Sequence, residues 1–276
     1  MSDEFKYIRF EIDEGVGIIT LNRPEKLNAL NWELAEEMAG LLSGLRTRDE
    51  VRCLVLAGAG RAFCAGGDVD WISGKEDRPM PGTSDPLRPI PRHQRKTPGG
   101  PFFEVTRQLI LVDKPVIAAI QGHAVGGGLA WALACDRRFA DPTTKMAAIF
   151  ANIGVAPDCG LSYFLPRLVG RSNALMLVET AKMVKADEAL QLGLIDELVP
   201  EGQALAAALA YAKLIAGKAS AAVDMARRLI HLSDHFTLEE MLDYEGLAGV
   251  VIASTLDAKE GTMAFLEKRK AVFRGV

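Results

Sequence analysis

Two glycine turns constrain this chain more than any other feature of it. Ala65-Gly66-Gly67-Asp68 comes after the apolar run Val51 to Ala57, and Val125-Gly126-Gly127-Gly128 comes after the run Val116 to Ile120. Apolar runs of this length, the first interrupted only by Arg52, suit strands buried on both faces. Each turn leads into a segment able to start a helix. Glycine lets backbone approach a ligand closely and takes φ/ψ values that other residues avoid. The first N–H groups of a helix have no intrahelical acceptor. Two such turns at one edge of a sheet can aim two donors at a single oxygen, which is how an oxyanion is stabilised.

The remaining pattern predicts a largely parallel α/β core. Tyr7 to Ile12 alternates like a strand, Gly15-Val16-Gly17 turns it, and Ile18 to Leu21 makes the return. Trp32 to Leu45 carries apolar residues at helical spacing. Phe102 to Val112 and Gly128 to Cys135 predict further helices, the second following the Pro115 to Ile120 strand. Strands alternating with helices indicate βαβ units. From Leu161 onward the pattern is almost entirely helical, with segments at Ser172 to Thr180, Gln203 to Ile215, Ala219 to Leu232, Leu238 to Ser254 and Asp257 to Phe273. Thr237 and Glu240 have the spacing of a capping box. A composition shift near residue 200 divides an α/β core (1–200) from a helical C-terminal region (201–276). Gly74 to Pro101 breaks the pattern, holding seven of the thirteen prolines and six Lys or Arg. A loop of that length is usually functional or disordered.

Composition narrows the partners. A net charge of −4 argues against nucleic acid, although a local basic cluster can still bind an anionic ligand. Four cysteines without C-x-x-C spacing predict buried free thiols. Four histidines include one H-x-x-x-H pair, His231 and His235, but without the glutamate of the zinc-binding H-E-x-x-H helix, and no metal site is expected. The acidic N-terminus has no signal-like apolar stretch, and no run reaches the roughly 20 apolar residues of a membrane span. The expected compartment is the cytosol.

These segments together resemble the crotonase, or enoyl-CoA hydratase/isomerase, superfamily. Asn22-Arg23-Pro24, Lys26 and Asn28-Ala29-Leu30 resemble its first loop, and Ala62 to Asp68 its first oxyanion segment. Lys114 to Gly122, with Gly126-Gly127-Gly128 and Cys135-Asp136, resembles the second. Ile153 to Gly160, Leu165 to Gly170 and Phe265 to Arg269 extend the similarity from about Tyr7 to the C-terminus. The resemblance implies a spiral of ββα units with C-terminal helices that build a homotrimer or a dimer of trimers. It implies chemistry on an acyl-CoA thioester, with the enolate held by the backbone N–H groups of Gly67 and Gly127. No separate cofactor is implied, since coenzyme A is part of the substrate. Arg23, Lys26 and Lys268 are its candidates for the CoA phosphates, with Ala29, Ala65 and Asp68 along the CoA path. Phe150, Ala130 and Trp71 are its candidates for the acyl pocket.

The chain departs from the hydratases at their two glutamate positions, which correspond here to Ala130 and Phe150. Neither side chain transfers a proton. Asp158 stands where other members of the superfamily carry a catalytic aspartate, and its apolar neighbours would raise its pKa if it were buried. Asp is also a favoured N-cap, so Asp158 has a purely structural alternative, capping the helix that begins near Gly160. Asp68 and Asp136, beside glycine or a helix end, look structural. His93, Glu104 and His123 fit surface or packing roles, and Ser162 lacks the G-x-S-x-G setting of a hydrolase nucleophile. A single carboxylate suits a proton shift that moves a double bond, with Asp158 as base and acid. Hydration or dehydration of an atypical acyl group and acyl-CoA binding without turnover are the alternatives.

Overall fold

Alternation near the N-terminus folds as a hairpin, β1 (Ile8–Asp13) with β2 (Val16–Leu21). The computed structural model describes residues 5–73 and 100–275, without the side chains of 71 and 72. Helix α1 (Trp32–Leu45) starts at Asn31, whose Oδ1 accepts from the Leu34 N–H at 3.1 Å. Then come β3 (Cys53–Gly58), the single turn α2 (Val69–Ile72), α3 (Gly100–Leu111), β4 (Val116–Ile120), β5 (His123–Val125) and α4 (Gly127–Ala134). Next are β6 (Arg137–Ala140), β7 (Lys145–Ala147), a 3-10 segment (Ile149–Ile153), α5 (Leu161–Val169) and α6 (Arg171–Thr180). The chain finishes through β8 (Val184–Lys185), α7 (Ala186–Leu192), β9 (Glu197–Leu198), α8 (Ala204–Ala216), α9 (Ser220–Leu232), α10 (Leu238–Ala253) and α11 (Leu256–Leu266).

Six strands form one sheet in the order β1-β2-β3-β4-β6-β9, parallel except for the β1–β2 pair. A second sheet holds β5-β7-β8. Successive strand residues face opposite sides, and the two apolar runs divide accordingly. Leu54 and Leu56 of β3, with Val116, Ala118 and Ile120 of β4, share a core with Leu34, Met38 and Leu42 of α1 and Val105 and Leu109 of α3. Cys53, Val55, Ala57, Ile117 and Ala119 pack on the other side against Ala208, Ala212 and Ala216 of α8. Three alanines at four-residue spacing give α8 a smooth face on the sheet. Although α8 lies beyond residue 200, it covers the sheet's second face.

Several boundaries differ from the sequence expectation for physical reasons. The last helix stops at Leu266 instead of continuing to Phe273. Lys268 takes φ +56, and the nearly buried Asp257 carboxylate accepts from the Arg274 and Gly275 N–H groups at 2.8 and 2.7 Å. That capture draws the tail back onto the molecule. Gly100 and Pro101, expected in the long loop, begin α3; residues 74–99, including His93, lie outside the described part. All four cysteines are free and buried. Among the described residues, no single helix is long and apolar enough to cross a membrane.

Candidate active site

The two glycine turns are joined by backbone hydrogen bonds. Phe63 N–H donates to Gln121 O at 2.7 Å, Cys64 N–H to His123 O at 2.8 Å, and Val125 N–H to Cys64 O at 3.0 Å. This zipper brings the turn after β3 against the turn after β5. Gly66 has φ +92, and a Cβ there would stand 2.9 Å from the Val125 carbonyl oxygen. Gly126 has φ +53, and a Cβ on it would lie 3.8 Å from the Gly66 Cα. Glycine is therefore required at both positions by conformation, and at Gly66 by space as well.

Residues 23–30 clamp the first turn from outside. Ala65 N–H donates to Leu27 O at 3.0 Å, Leu30 N–H to Gly66 O at 2.7 Å, and Asp68 N–H to Leu30 O at 2.9 Å. Arg23 Nη2 meets Asp68 Oδ2 at 2.7 Å, and Arg23 Nη1 donates to Ala29 O at 2.5 Å. Asn28, fully buried at φ +56, accepts from Arg23 N–H and donates to Ala59 O and Ala62 O. Arg23 is thus a buried strut beneath the turn. Its guanidinium, expected to serve a phosphate, is committed here to Asp68 and Ala29. Asp68 and the buried Ala29 belong to the same brace, and Ala65 lies half-buried above it.

At the centre of this arrangement the Gly67 and Gly127 amides donate to no acceptor among the described residues. Gly127 is the first residue of α4, where the helix itself offers no acceptor. A Cβ on Gly127 would touch Leu30 Cδ1 at 3.0 Å and Cys159 Sγ at 3.5 Å, so the 158–160 turn packs directly against the second glycine turn. Free amides on adjacent turns can receive developing negative charge on an oxygen.

Asp158 is solvent-exposed at that third turn. Desolvation around its carboxyl still raises the pKa above the ordinary aspartate value, partly offset by the neighbouring Cys159 side chain. The capping alternative does not hold. Gly160 occupies the N-cap of α5 at φ +84, without a side-chain cap, and Asp158 contributes only its backbone carbonyl to Leu161 N–H at 2.9 Å. Ala130 on α4 and Phe150 on the 3-10 segment are buried, and both belong to the main core. Both positions pack hydrocarbon into the core.

The other candidates separate. Lys26 lies at the rim, paired with Asp70 at 2.6 Å and about half exposed, its pKa raised chiefly by that hydrogen bond. Lys268 is exposed, and the tail beyond it is tied by Phe273 O to Arg52, just before β3 and away from the turn that follows Gly58. Trp71 lies outside the described side chains. His123 serves the zipper through its carbonyl, Glu104 pairs with Arg107 and Gln108 on α3, and Ser162 is exposed on α5. Cys159 was not singled out from the sequence; a lone buried cysteine carries no signal there. A cavity of about 540 Å³ lies elsewhere, near the N-terminal ends of β4 and β6, where Asp136 binds Arg227 and His231 of α9.

The family model for enoyl-CoA hydratase/isomerase matches residues 11–276. The chain belongs to the enoyl-CoA hydratase/isomerase family. It is 34% identical over 98% of its length to the 1,2-epoxyphenylacetyl-CoA isomerase of Escherichia coli K12, covering 99% of that protein. It is 33% identical to the short-chain-enoyl-CoA hydratase of Clostridium acetobutylicum, covering 97% of each. The crystal structure of an enoyl-CoA hydratase from Bacillus anthracis superposes with a TM-score of 0.87 at 30% identity, over 98% of this chain and 100% of that one. The crotonase-type α/β spiral is therefore this family member's fold, and it is an acyl-CoA-processing enzyme.

Proposed function

We propose that the enzyme shifts a double bond along the acyl chain of an enoyl-CoA, with Asp158 carrying the proton. The observation that carries this reading is the contrast between one carboxyl at the 158–160 turn and buried hydrocarbon at 130 and 150. In the step proposed, the Asp158 carboxylate removes a proton from one carbon of the acyl chain. The electron pair moves into the thioester, and the resulting enolate oxygen is held by the Gly67 and Gly127 N–H groups. Asp158, now protonated, returns the proton to a carbon two bonds away, and the double bond is left displaced. One group suffices, because the same proton leaves and returns. Supporting the reading, the relative from E. coli is named an isomerase. The clostridial relative is named a hydratase.

Coenzyme A brings three phosphate groups, and an acidic protein needs local basic charge to hold them. Lys26 at the rim of the first turn is the candidate within the chain. Lys268 is a candidate from a neighbouring copy. The exposed apolar residues Leu247, Val250 and Val251 of α10 and Phe265 and Leu266 of α11 support association through the C-terminal helices, as a trimer or a dimer of trimers in the cytosol.

The test is turnover of a panel of 2-enoyl- and 3-enoyl-CoAs, following ultraviolet absorbance and product mass. Isomerisation gives a new positional isomer of unchanged mass. Hydration adds the mass of water and removes the conjugated chromophore. Binding without either change would leave the chain a silent acyl-CoA binder.

A further inference from the structure

The turn that carries Asp158 is tied to a helix far away in sequence. A helical threonine ordinarily turns its hydroxyl back to the i−4 carbonyl. Thr106 of α3 does so only loosely, at 3.5 Å from Phe102 O, and donates at 2.8 Å to the Cys159 carbonyl, 53 residues on. The closer bond is the one that leaves the helix. Cys159 stands at φ +51, left-handed backbone that a residue with a Cβ keeps only where its surroundings hold it. Gly160 follows at φ +84, and a Cβ there would meet Thr106 Cγ2 at 2.9 Å. The Thr106 methyl thus packs on the same turn that its hydroxyl holds.

Two successive carbonyls of the turn are therefore held, Asp158 O by Leu161 N–H at 2.9 Å and Cys159 O by Thr106. The peptide planes on either side of Cys159 are fixed with them, and the first begins at the Asp158 Cα. Helix α3 reaches the other half of the site as well. Trp131 of α4, fully buried, donates its Nε1–H to Phe102 O at 3.4 Å, and α4 begins at Gly127. One helix thus braces both the turn that bears the carboxyl and the helix that bears the Gly127 amide. Proton transfer depends on such held geometry. We infer that Thr106 is a positioning residue for the double-bond shift, its hydroxyl setting the Asp158 turn against the Gly127 amide. The inference rests on Asp158 being the proton carrier.

Three substitutions in the full chain test it. Thr106→Val keeps the methyl contact and removes the donor, Thr106→Ser keeps the donor, and Asp158→Asn removes the proton carrier. Hydrogen exchange of the Leu161 amide, followed without substrate, should quicken about three- to tenfold in Thr106→Val, the scale of one hydrogen bond. Amides within α4 should keep their wild-type rates. With 3-hexenoyl-CoA, kcat of Thr106→Val should fall by about the same factor, with KM little changed. Thr106→Ser should bring exchange and kcat back toward wild type. In the Asp158→Asn background, Thr106→Val should leave the residual turnover unchanged, because it acts through that carboxyl. Wild-type exchange or wild-type kcat in Thr106→Val, a serine variant no better than valine, or a loss of equal size in the Asp158→Asn background overturns the inference. Wild-type turnover by Asp158→Asn overturns the proton assignment and the inference with it. An inactive Asp158→Asn beside an unaffected Thr106→Val overturns the inference alone.

Discussion

The Arg23 guanidinium lies 2.7 Å from the Asp68 carboxylate, with side-chain exposures of only 8% and 3%. Breaking a buried ion pair from one side leaves an uncompensated charge, at a cost of about 3–5 kcal/mol. Asp68→Ala should lower the unfolding free energy by that amount, measured by urea denaturation. It should also remove activity, since the first glycine turn hangs from this brace. Replacing both partners, Arg23→Met with Asp68→Leu, should recover part of the stability. A double variant as unstable as the single one would show that the pair contributes more than charge compensation.

Asp158→Asn separates catalysis from stability. The side chain caps no helix, so the melting temperature should match wild type. Turnover of the preferred enoyl-CoA should fall by about 10²–10⁴-fold, the usual contribution of general acid–base catalysis. α-Proton exchange in D₂O should disappear with it, and retained exchange would assign the base to another residue.

A crystal structure with a bound acyl-CoA should place the Gly67 and Gly127 nitrogens about 2.7–3.1 Å from the thioester oxygen. An oxygen within reach of one nitrogen alone would require a second donor from elsewhere.

Lys26→Ala combined with Lys268→Ala should weaken CoA binding in calorimetry. The loss should shrink with added salt, because exposed charges are screened within about 10 Å at 0.1 M. Equal affinities and equal salt slopes in the two proteins would move the phosphate site to other basic residues.

Asp224 on α9 supplies a pH dependence of stability. Its carboxyl is raised to about 6, first by desolvation, against the pull of Lys114 and with Asp113 adding repulsion. One of its oxygens is buried without a hydrogen-bond partner among the described residues. A carboxyl whose folded pKa is raised stabilises the fold in its protonated form, and that contribution is lost as pH rises from about 4 through about 6. Denaturation at pH 5 and pH 7 should show wild type losing stability over that interval and Asp224→Asn losing less.

What was legible in the sequence was carried by apolar pattern and glycine. The runs at 51–57 and 116–120, α1 and the capping box at Thr237 and Glu240 are all present. Strands β5, β6 and β7 were not read, because they are three or four residues long and β6 opens with two arginines. Arg138 nonetheless lies 2% exposed, its charge met by Asp196 at 2.7 Å. The pairing of Arg23 with Asp68 is hidden for the same reason, since a paired, buried guanidinium looks in a sequence like a surface cation. Asp158 was found by position in a resemblance. The thiol beside it depends on a left-handed turn pinned by Thr106, a contact across 53 residues that no local spacing encodes.

The clamp around the glycine turns is built from main-chain bonds: Cys64 to His123, Val125 to Cys64, Leu30 to Gly66. Side-chain replacement on α4 or at the 158–160 turn leaves those bonds in place. A lineage built on this frame is thus free to exchange the groups that move protons while inheriting the free amides intact. On the proposed reading, hydrocarbon at 130 and 150 and a carboxyl at 158 direct which reaction follows without dismantling the scaffold. Diversity of chemistry within one fold then becomes a matter of decorating a fixed backbone cradle.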